Sequence, residues 1–350
     1  MSRPIRFGLI GLGWRGEQYV RIARQLPQWF EPAGVVVRNP DKYRDLAARL
    51  GLRLCRTPQE LARDCDFVVA AVAKAAAPAV LAELAAHGIP VLAETPPAHD
   101  SAALRQMEAV AAQSPRIQVA EQYPLLPHHA ARSALIRSGA LGEVRHVQVS
   151  AGHGYHGIAL IRRWLDLRDE RCRIVAQQFT HPVLEVPVRG RDTGDGVELE
   201  RHDIALLSFE GGKSAVYDFT RSQYFSPLRQ NRVLIRGSHG EIRDNEVTRS
   251  LDSGMFDTLT IRRIQDGMEG SLAPLSLREL WAGSERLYIS PFYPAPLSDE
   301  ELAIAETLVR MDDYIRTGTS FYSLTEALVD VRLSLAIETA IASGVPVTAP

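Results

Sequence analysis

Lysine is nearly missing from this chain of 350 residues: of 40 basic residues only Lys42, Lys74 and Lys213 are lysines, and the rest are arginines. Codon preference alone explains such a bias. The consequence holds whatever its origin, because any ammonium chemistry must come from one of three positions. Cysteine is as scarce. Cys55, Cys65 and Cys172 form an odd set without a C-x-x-C pair, which speaks against a disulfide framework and fits a reducing cytoplasm. No long basic run occurs and the formal net charge is −2, so electrostatics supports neither a nucleic-acid partner nor a membrane surface. The most apolar stretch, residues 67–86, is broken by Lys74, Pro78 and Glu83, and reads as a strand followed by a helix rather than a membrane span. No signal-peptide pattern precedes the first strand-like run.

What is present is the composition of a globular protein, 45% hydrophobic and 23% charged, with a length that suits two domains. Residues 6–10 are a short apolar run with strand character. Gly11, Leu12, Gly13, Trp14, Arg15 and Gly16 follow, and then Val20, Ala23 and Leu26 keep helical spacing until Pro27. A G-x-G-x-x-G sequence between strand and helix predicts a dinucleotide site. The first glycine allows the tight turn, the second lets the backbone approach a pyrophosphate, and the third permits close helix–strand packing. A helix N-terminus adds N–H donors and a positive dipole end. The next strand, predicted over 33–38, ends at Arg38, where a carboxylate would serve the ribose hydroxyls of NAD. An arginine there suits the 2′-phosphate of NADP, with Asn39 and Lys42 beside it; NAD remains possible.

Alternation continues with strands over 52–55, 66–72, 90–94 and 117–121, and helices from 57, over 78–87 and over 101–113. Near-continuously apolar strands predict a parallel sheet covered on both faces, a doubly wound Rossmann domain over residues 1–122. Ligand is expected at the strands' C-terminal ends, near Gly11, Arg38, Val72, Ala73, Glu94, Thr95 and Gln122. After Pro124 the alternation stops. A helix over 130–138, strands over 143–150, 204–209, 214–219 and 232–235, a Gly211-Gly212 hairpin turn, and helices over 298–317 and 325–343 predict an α+β domain over 123–350 with a mostly antiparallel open sheet.

Several of these pieces together resemble the Gfo/Idh/MocA oxidoreductases, the glucose–fructose oxidoreductase and inositol dehydrogenase family. They are the opening glycine motif, Glu94-Thr95-Pro96, the stretch 138–145 that leads into the second sheet, the return segment 239–242 and the final helix pair. The resemblance covers nearly the whole length. It implies a nicotinamide cofactor, a sugar, sugar derivative or cyclic polyol as substrate, and homo-oligomers formed through the exposed sheet face. It also marks a departure, since Thr95 stands where relatives keep a catalytic lysine between Glu and Pro. In residues 152–159, His156 falls on the family's histidine, whereas Gly152 and Ala159 fall where aspartates are common.

Three groups remain for proton transfer during hydride exchange. His156 is the first, because it precedes a probable helix over 157–164, whose N-terminus disfavours the imidazolium. Tyr155 flanks it, as does His153, and convergence of the three requires Gly152, Gly154 and Gly157 to bend the backbone. That glycine density is explained equally by a ligand's approach or by a tight turn. Lys74, which follows the strand over 66–72, is the third, against the alternative of a solvated loop lysine. Gln122, Tyr123, His128 and His129 are expected to face the cleft between domains, and no ligand spacing supports a metal. Two other functions stay open: a non-redox cofactor-binding regulator, and an enzyme that uses bound nicotinamide transiently for sugar elimination or glycoside cleavage.

Overall fold

The computed structural model describes residues 3–114, 116–185, 196–251 and 254–350. The chain divides into two compact units, one of residues 1–127, 263–279 and 289–328, the other of residues 128–262, 280–288 and 329–350.

The first unit opens with strand β1 (Ile5–Ile10), helix α1 (Trp14–Gln25), β2 (Phe30–Val36), α2 (Pro40–Arg49), β3 (Leu54–Cys55) and α3 (Pro58–Ala62). It continues with β4 (Phe67–Ala70), α4 (Ala77–Ala86), β5 (Val91–Ala93), α5 (Ser101–Gln113) and β6 (Ile117–Val119). The six strands pair in the order β3-β2-β1-β4-β5-β6, all parallel. Strands β4, β5 and β6 are buried at every position, as expected where helices cover both faces. The strand predicted over 33–38 lies three residues earlier at its start and stops at Val36, so Arg38 stands beyond the strand, exposed.

Next come α6 (Pro127–Arg137), β7 (Val144–Ser150), α7 (Tyr155–Leu165), β8 (Cys172–Leu184), β9 (Val197–Phe209) and β10 (Ser214–Thr220). Strands β11 (Arg232–Gly237), β12 (Gly240–Arg243), β13 (Glu246–Ser250), β14 (Phe256–Asp266), β15 (Ser276–Ala282) and β16 (Glu285–Ile289) follow. Helices α8 (Asp299–Thr317) and α9 (Leu324–Ser343) and strand β17 (Val347–Ala349) end the chain. Among the described residues the second sheet has eleven strands in the order β16-β15-β14-β13-β12-β11-β7-β10-β9-β8-β17. β7 and β10 pair in parallel, whereas β10 with β9, β9 with β8 and β11 with β12 are antiparallel. β9 and β10 form the hairpin turned by Gly211 and Gly212, both at positive φ. One side of β7, β9 and β10 buries Val147, Val149, Ala205, Leu207 and Tyr217 beneath α7; Val175 and Leu206 stay exposed on the other.

α8 belongs to the first unit. A capping box starts it: Glu301 N–H donates to Ser298 Oγ (3.3 Å) and Ser298 N–H to Glu301 Oε2 (2.9 Å). Arg21 on α1 donates through Nε to Glu301 Oε1 at 2.7 Å. Just beyond, the Gln118 side-chain oxygen accepts from Ser320 Oγ and from the backbone N–H groups of Phe321 and Tyr322.

In the second unit a buried ion pair ties α7 to α9. Arg162 Nη1 lies 2.6 Å from Asp330 Oδ1, the side chains only 7% and 3% exposed, and Arg162 Nη2 donates to the Arg168 carbonyl. Removing one partner of such a pair leaves a buried charge uncompensated, at a cost of roughly 3–5 kcal/mol. Asp330→Ala should therefore lower stability by about that amount in urea denaturation followed by circular dichroism, and a loss below about 1 kcal/mol would show that the pair holds nothing together.

Candidate functional site

Because all six strands of the first sheet are parallel, their C-terminal ends share one edge, and the order reverses between β1 and β4. Ligands of open α/β sheets lie at such a switch point. The loop after β1 is built there. Gly11 has φ +95°, and a Cβ on it would meet the Ala71 carbonyl oxygen at 2.4 Å. Its N–H donates to Val36 O at 2.9 Å. Gly16 lies so close to the loop that a Cβ would meet Gly11 O at 2.7 Å. Both glycines are required by the chain's own packing. Gly13 is different, with extended backbone and no atom within 4 Å of a Cβ position. It is the N-cap of α1, and no side chain caps that end. The second glycine of the motif thus leaves open space at a helix N-terminus, which is what a pyrophosphate needs, and the residues present fit a dinucleotide.

The other predicted cofactor residues have distinct surroundings. Leu12 is buried and Trp14 is 47% exposed, its ring 4.8 Å from the Arg15 guanidinium. Asn39 is engaged as the N-cap of α2, its Oδ1 accepting from Lys42 N–H. Val72 and Ala73 lie on the turn after β4 with Lys74, which is exposed. Gln122 is buried. Thr95 follows β5, joined to Pro96 by a cis peptide.

Arg15 and Glu94 are the centre of a charged network that the sequence did not reveal. Glu94, its side chain 11% exposed, lies 3.5 Å from Arg15 Nε and accepts a 2.6 Å hydrogen bond from Tyr19 Oη. Arg15 also pairs with Glu300 at the start of α8 (3.1 Å) and donates to Gln18 (2.6 Å). Burial, then the neighbouring Glu94, holds the Tyr19 phenol well above its usual range. Burial raises the Glu94 carboxyl too, against the pull of Arg15 and the Tyr19 hydrogen bond. Glu121 just past β6 is 3% exposed. Burial pushes its carboxyl up to about 8, although the Tyr123 N–H donates to it at 3.0 Å and Arg15 opposes the shift. An acidic residue closing an apolar strand was the available signal for Glu121.

In the second unit His153, Tyr155 and His156 do converge. Their ring centroids lie 5.0 Å apart for His153–Tyr155, 5.0 Å for His153–His156 and 4.4 Å for Tyr155–His156. The bend comes from Gly154, at φ +45°, whose N–H donates to Tyr217 Oη at 2.7 Å. Helix α7 begins at Tyr155, two residues before the predicted start, so His156 sits inside its first turn, 5% exposed. The glycines there serve the fold: a Cβ at 157 would meet the Tyr217 ring at 2.7 Å, and one at 154 would meet Ser334 Oγ at 2.7 Å. Tyr224, which no sequence motif marks, places its hydroxyl 2.6 Å from His153 Nδ1 and accepts from the His153 N–H at 2.9 Å. His129 packs inside the unit, 2.8 Å from Arg132 Nη1 and edge-on to Trp164. Among the described residues no group of three or more His, Cys, Asp or Glu could hold a metal ion, and no helix is long and apolar enough to cross a membrane.

Solved structures share this fold over nearly the whole chain. One is an oxidoreductase from Agrobacterium radiobacter in complex with NAD+, L-tartaric acid and magnesium, 16% identical, with 98% of each chain covered and a TM-score of 0.69. Another is levoglucosan dehydrogenase in complex with NADH and levoglucosan, 18% identical over 99% of this chain and 100% of the other, TM-score 0.69. A third is a myo-inositol dehydrogenase from Corynebacterium glutamicum, 15% identical over 99% and 98%, TM-score 0.65. At these identities the likeness is one of fold. No curated protein sequence matches the chain. Residues 5–122 match the Gfo/Idh/MocA oxidoreductase family with an NAD-binding Rossmann fold, so this part of the chain is similar to that family.

Proposed function

We propose that this chain is an NADP(H)-dependent oxidoreductase acting on a sugar, a sugar derivative or a cyclic polyol. The observation that carries the reading is the open space beside Gly13 at the uncapped N-terminus of α1, on the edge where the parallel strands end. A nicotinamide cofactor bound at this edge would supply or accept a hydride. The substrate class draws support from structural neighbours solved with levoglucosan and L-sorbose. Three unpaired cysteines suit a reducing compartment such as the cytoplasm. Self-association is supported by the open face of β8 and β9, where Val175, Phe179 and Leu206 are exposed. Light scattering should accordingly give a mass above that of the 38.7 kDa chain, and a monomer at all concentrations would remove that part.

Arg38 beyond β2 is the residue assigned to the 2′-phosphate. NADP(H) is expected to bind about 10- to 100-fold more tightly than NAD(H), from roughly 1.5–3 kcal/mol for a charge-assisted contact. Arg38→Asp should abolish or reverse that preference in titrations of both cofactors. Equal wild-type affinities would take Arg38 out of the account.

For proton transfer we assign His156, with Tyr155 beside it. The His156 ring lies beside those of Tyr155 and His153 in the first turn of α7, and an imidazole is a group able to accept a hydroxyl proton. His156→Ala should reduce turnover by roughly 10²–10⁴, while Lys74→Ala, on an exposed turn, should stay near wild type. Full activity of the His156 variant on a substrate the wild type oxidises would overturn the assignment. Thr95 in place of a lysine favours one competitor, a non-redox regulator that binds cofactor without turnover. Net consumption of NADP(H) in a sugar panel separates the two, and substrate loss without net cofactor change would point instead to transient oxidation.

A further inference from the structure

The hydroxyl of Tyr224 holds His153 at two points. It accepts from the His153 backbone N–H at 2.9 Å and lies 2.6 Å from Nδ1 of the same residue's ring. The proton of that second contact belongs either to the phenol or to the imidazole. The separation favours the phenol, because 2.6 Å is usual for an O–H donor and shorter than the range of about 2.7–3.2 Å found for N–H donors. The backbone N–H already occupies one side of Oη, so donation from the hydroxyl also spares that oxygen a second N–H. We infer that Tyr224 is a positioning residue: it caps the basic Nδ1 of His153, fixes the ring proton of His153 on Nε2, and so leaves proton acceptance to His156. The inference rests on the assignment of His156 above and names the residue that decides which of two adjacent histidines acts as the base.

The chain delivers Tyr224 rigidly. Thr220 ends β10, and its N–H donates to Gln223 Oε1 at 2.8 Å, closing the single turn Arg221–Tyr224. Gln223 Nε2 donates in turn to the carbonyl (2.8 Å) and the hydroxyl (3.0 Å) of Ser150, the last residue of β7. Ser222 Oγ donates to the buried Glu200 of β9 at 2.8 Å. Three strands thus tie down the turn that carries the hydroxyl. Aromatic packing adds to this: the Tyr224 ring lies 5.1 Å from that of Phe219 and 5.7 Å from the His153 imidazole, at 88° to the latter. His156 meets the same imidazole at 5.0 Å and 90°.

Two imidazoles at this separation compete for one proton. A nitrogen that accepts a phenol proton takes another only by giving up that bond, and a nitrogen that bears a proton is no base. His153 therefore donates and does not accept. In oxidation the substrate's O–H proton goes to His156 while the electron pair of its C–H bond leaves as hydride to the oxidised nicotinamide; reduction returns both. A neutral His153 also keeps a second positive charge away from the imidazolium that forms on His156.

Nitrogen NMR of protein labelled in its histidine rings reads the tautomer directly, without substrate or cofactor. At about pH 8, where imidazoles are neutral, the His153 signals, assigned by their loss in His153→Gln, should show a proton on Nε2 and a hydrogen-bonded, unprotonated Nδ1. Tyr224→Phe removes only the hydroxyl. Its Nδ1 signal should move toward that of an unbonded imidazole nitrogen and average with the second tautomer. Tyr217→Phe, which loses the hydroxyl on the Gly154 N–H, should leave the His153 signals as in wild type. With NADP(H) and a panel of levoglucosan, myo-inositol and their ketone forms, Tyr224→Phe should lose roughly 10- to 100-fold in kcat, the usual scale for a group that orients a functional histidine. A proton on Nδ1 in the wild type, or a Tyr224→Phe variant with wild-type kcat, overturns the inference alone. A wild type that turns over none of the panel, or a fully active His156→Ala, overturns the reading beneath it, and the positioning role of Tyr224 falls with that reading.

Discussion

The parallel register of the first sheet is the constraint on which the rest depends. Pairing β1, β4, β5 and β6 side by side in one direction places the ends of four apolar strands along a single edge. The groups that follow them, the glycine loop, the Lys74 turn, Glu94-Thr95 and Glu121-Gln122, are gathered there although they lie up to 111 positions apart along the chain (Gly11 to Gln122). Hydrogen bonds satisfy the strands' backbone, so the edge can present N–H groups, small residues and charges without weakening the core. The open side of Gly13 is the clearest sign of what this edge is for: the protein's own atoms need glycine at 11 and 16 but leave the space beside 13 unused.

Charge at this edge is arranged around one arginine. Arg15 sits in the glycine loop, yet its guanidinium is engaged by Glu94 and Glu300, so it anchors α1 to β5 and to α8. The carboxyls around it outnumber the cation. With little water to stabilise a second negative charge, raised carboxyl pKa values follow. The second unit gathers aromatic rings, imidazoles and hydroxyls instead. His153, Tyr155, His156, Tyr217 and Tyr224 lock one another through ring contacts and hydroxyl bonds, and Gly154 provides the bend that starts α7.

Much of the fold was legible because its signals are local. Continuous apolar runs specified buried parallel strands, the glycine motif fell between strand and helix, and Gly211-Gly212 marked the hairpin. Strands β8 and β13 to β16 were less legible. β8, for example, is exposed at most positions and contains Pro182, so it carries neither a clean alternation nor a buried run. Boundaries slipped where tertiary packing decides them: Tyr217 and Ser334 pin Gly154 and Gly157, and so set where α7 begins. Nor does any local pattern announce that α8 packs on α1, or that Arg15 turns toward Glu94 and Glu300, because those pairings join residues about 80 to 285 positions apart. Site residues defined by one motif could be read. Those defined by a network, such as the Arg15–Glu300 pair, could not.

The most direct test of a nucleotide site at this edge is NADPH titration of wild type and Gly13→Val, followed by energy transfer from tryptophan, with Trp14 in the loop as a nearby donor. Gly13 has extended backbone and no neighbour within 4 Å of a Cβ, so the valine should leave the fold and its circular dichroism intact. The account predicts saturable binding by wild type and at least about a 100-fold loss in the folded variant, since the side chain would fill the space a pyrophosphate needs. Unchanged affinity in the folded variant, or no binding by wild type, would contradict it.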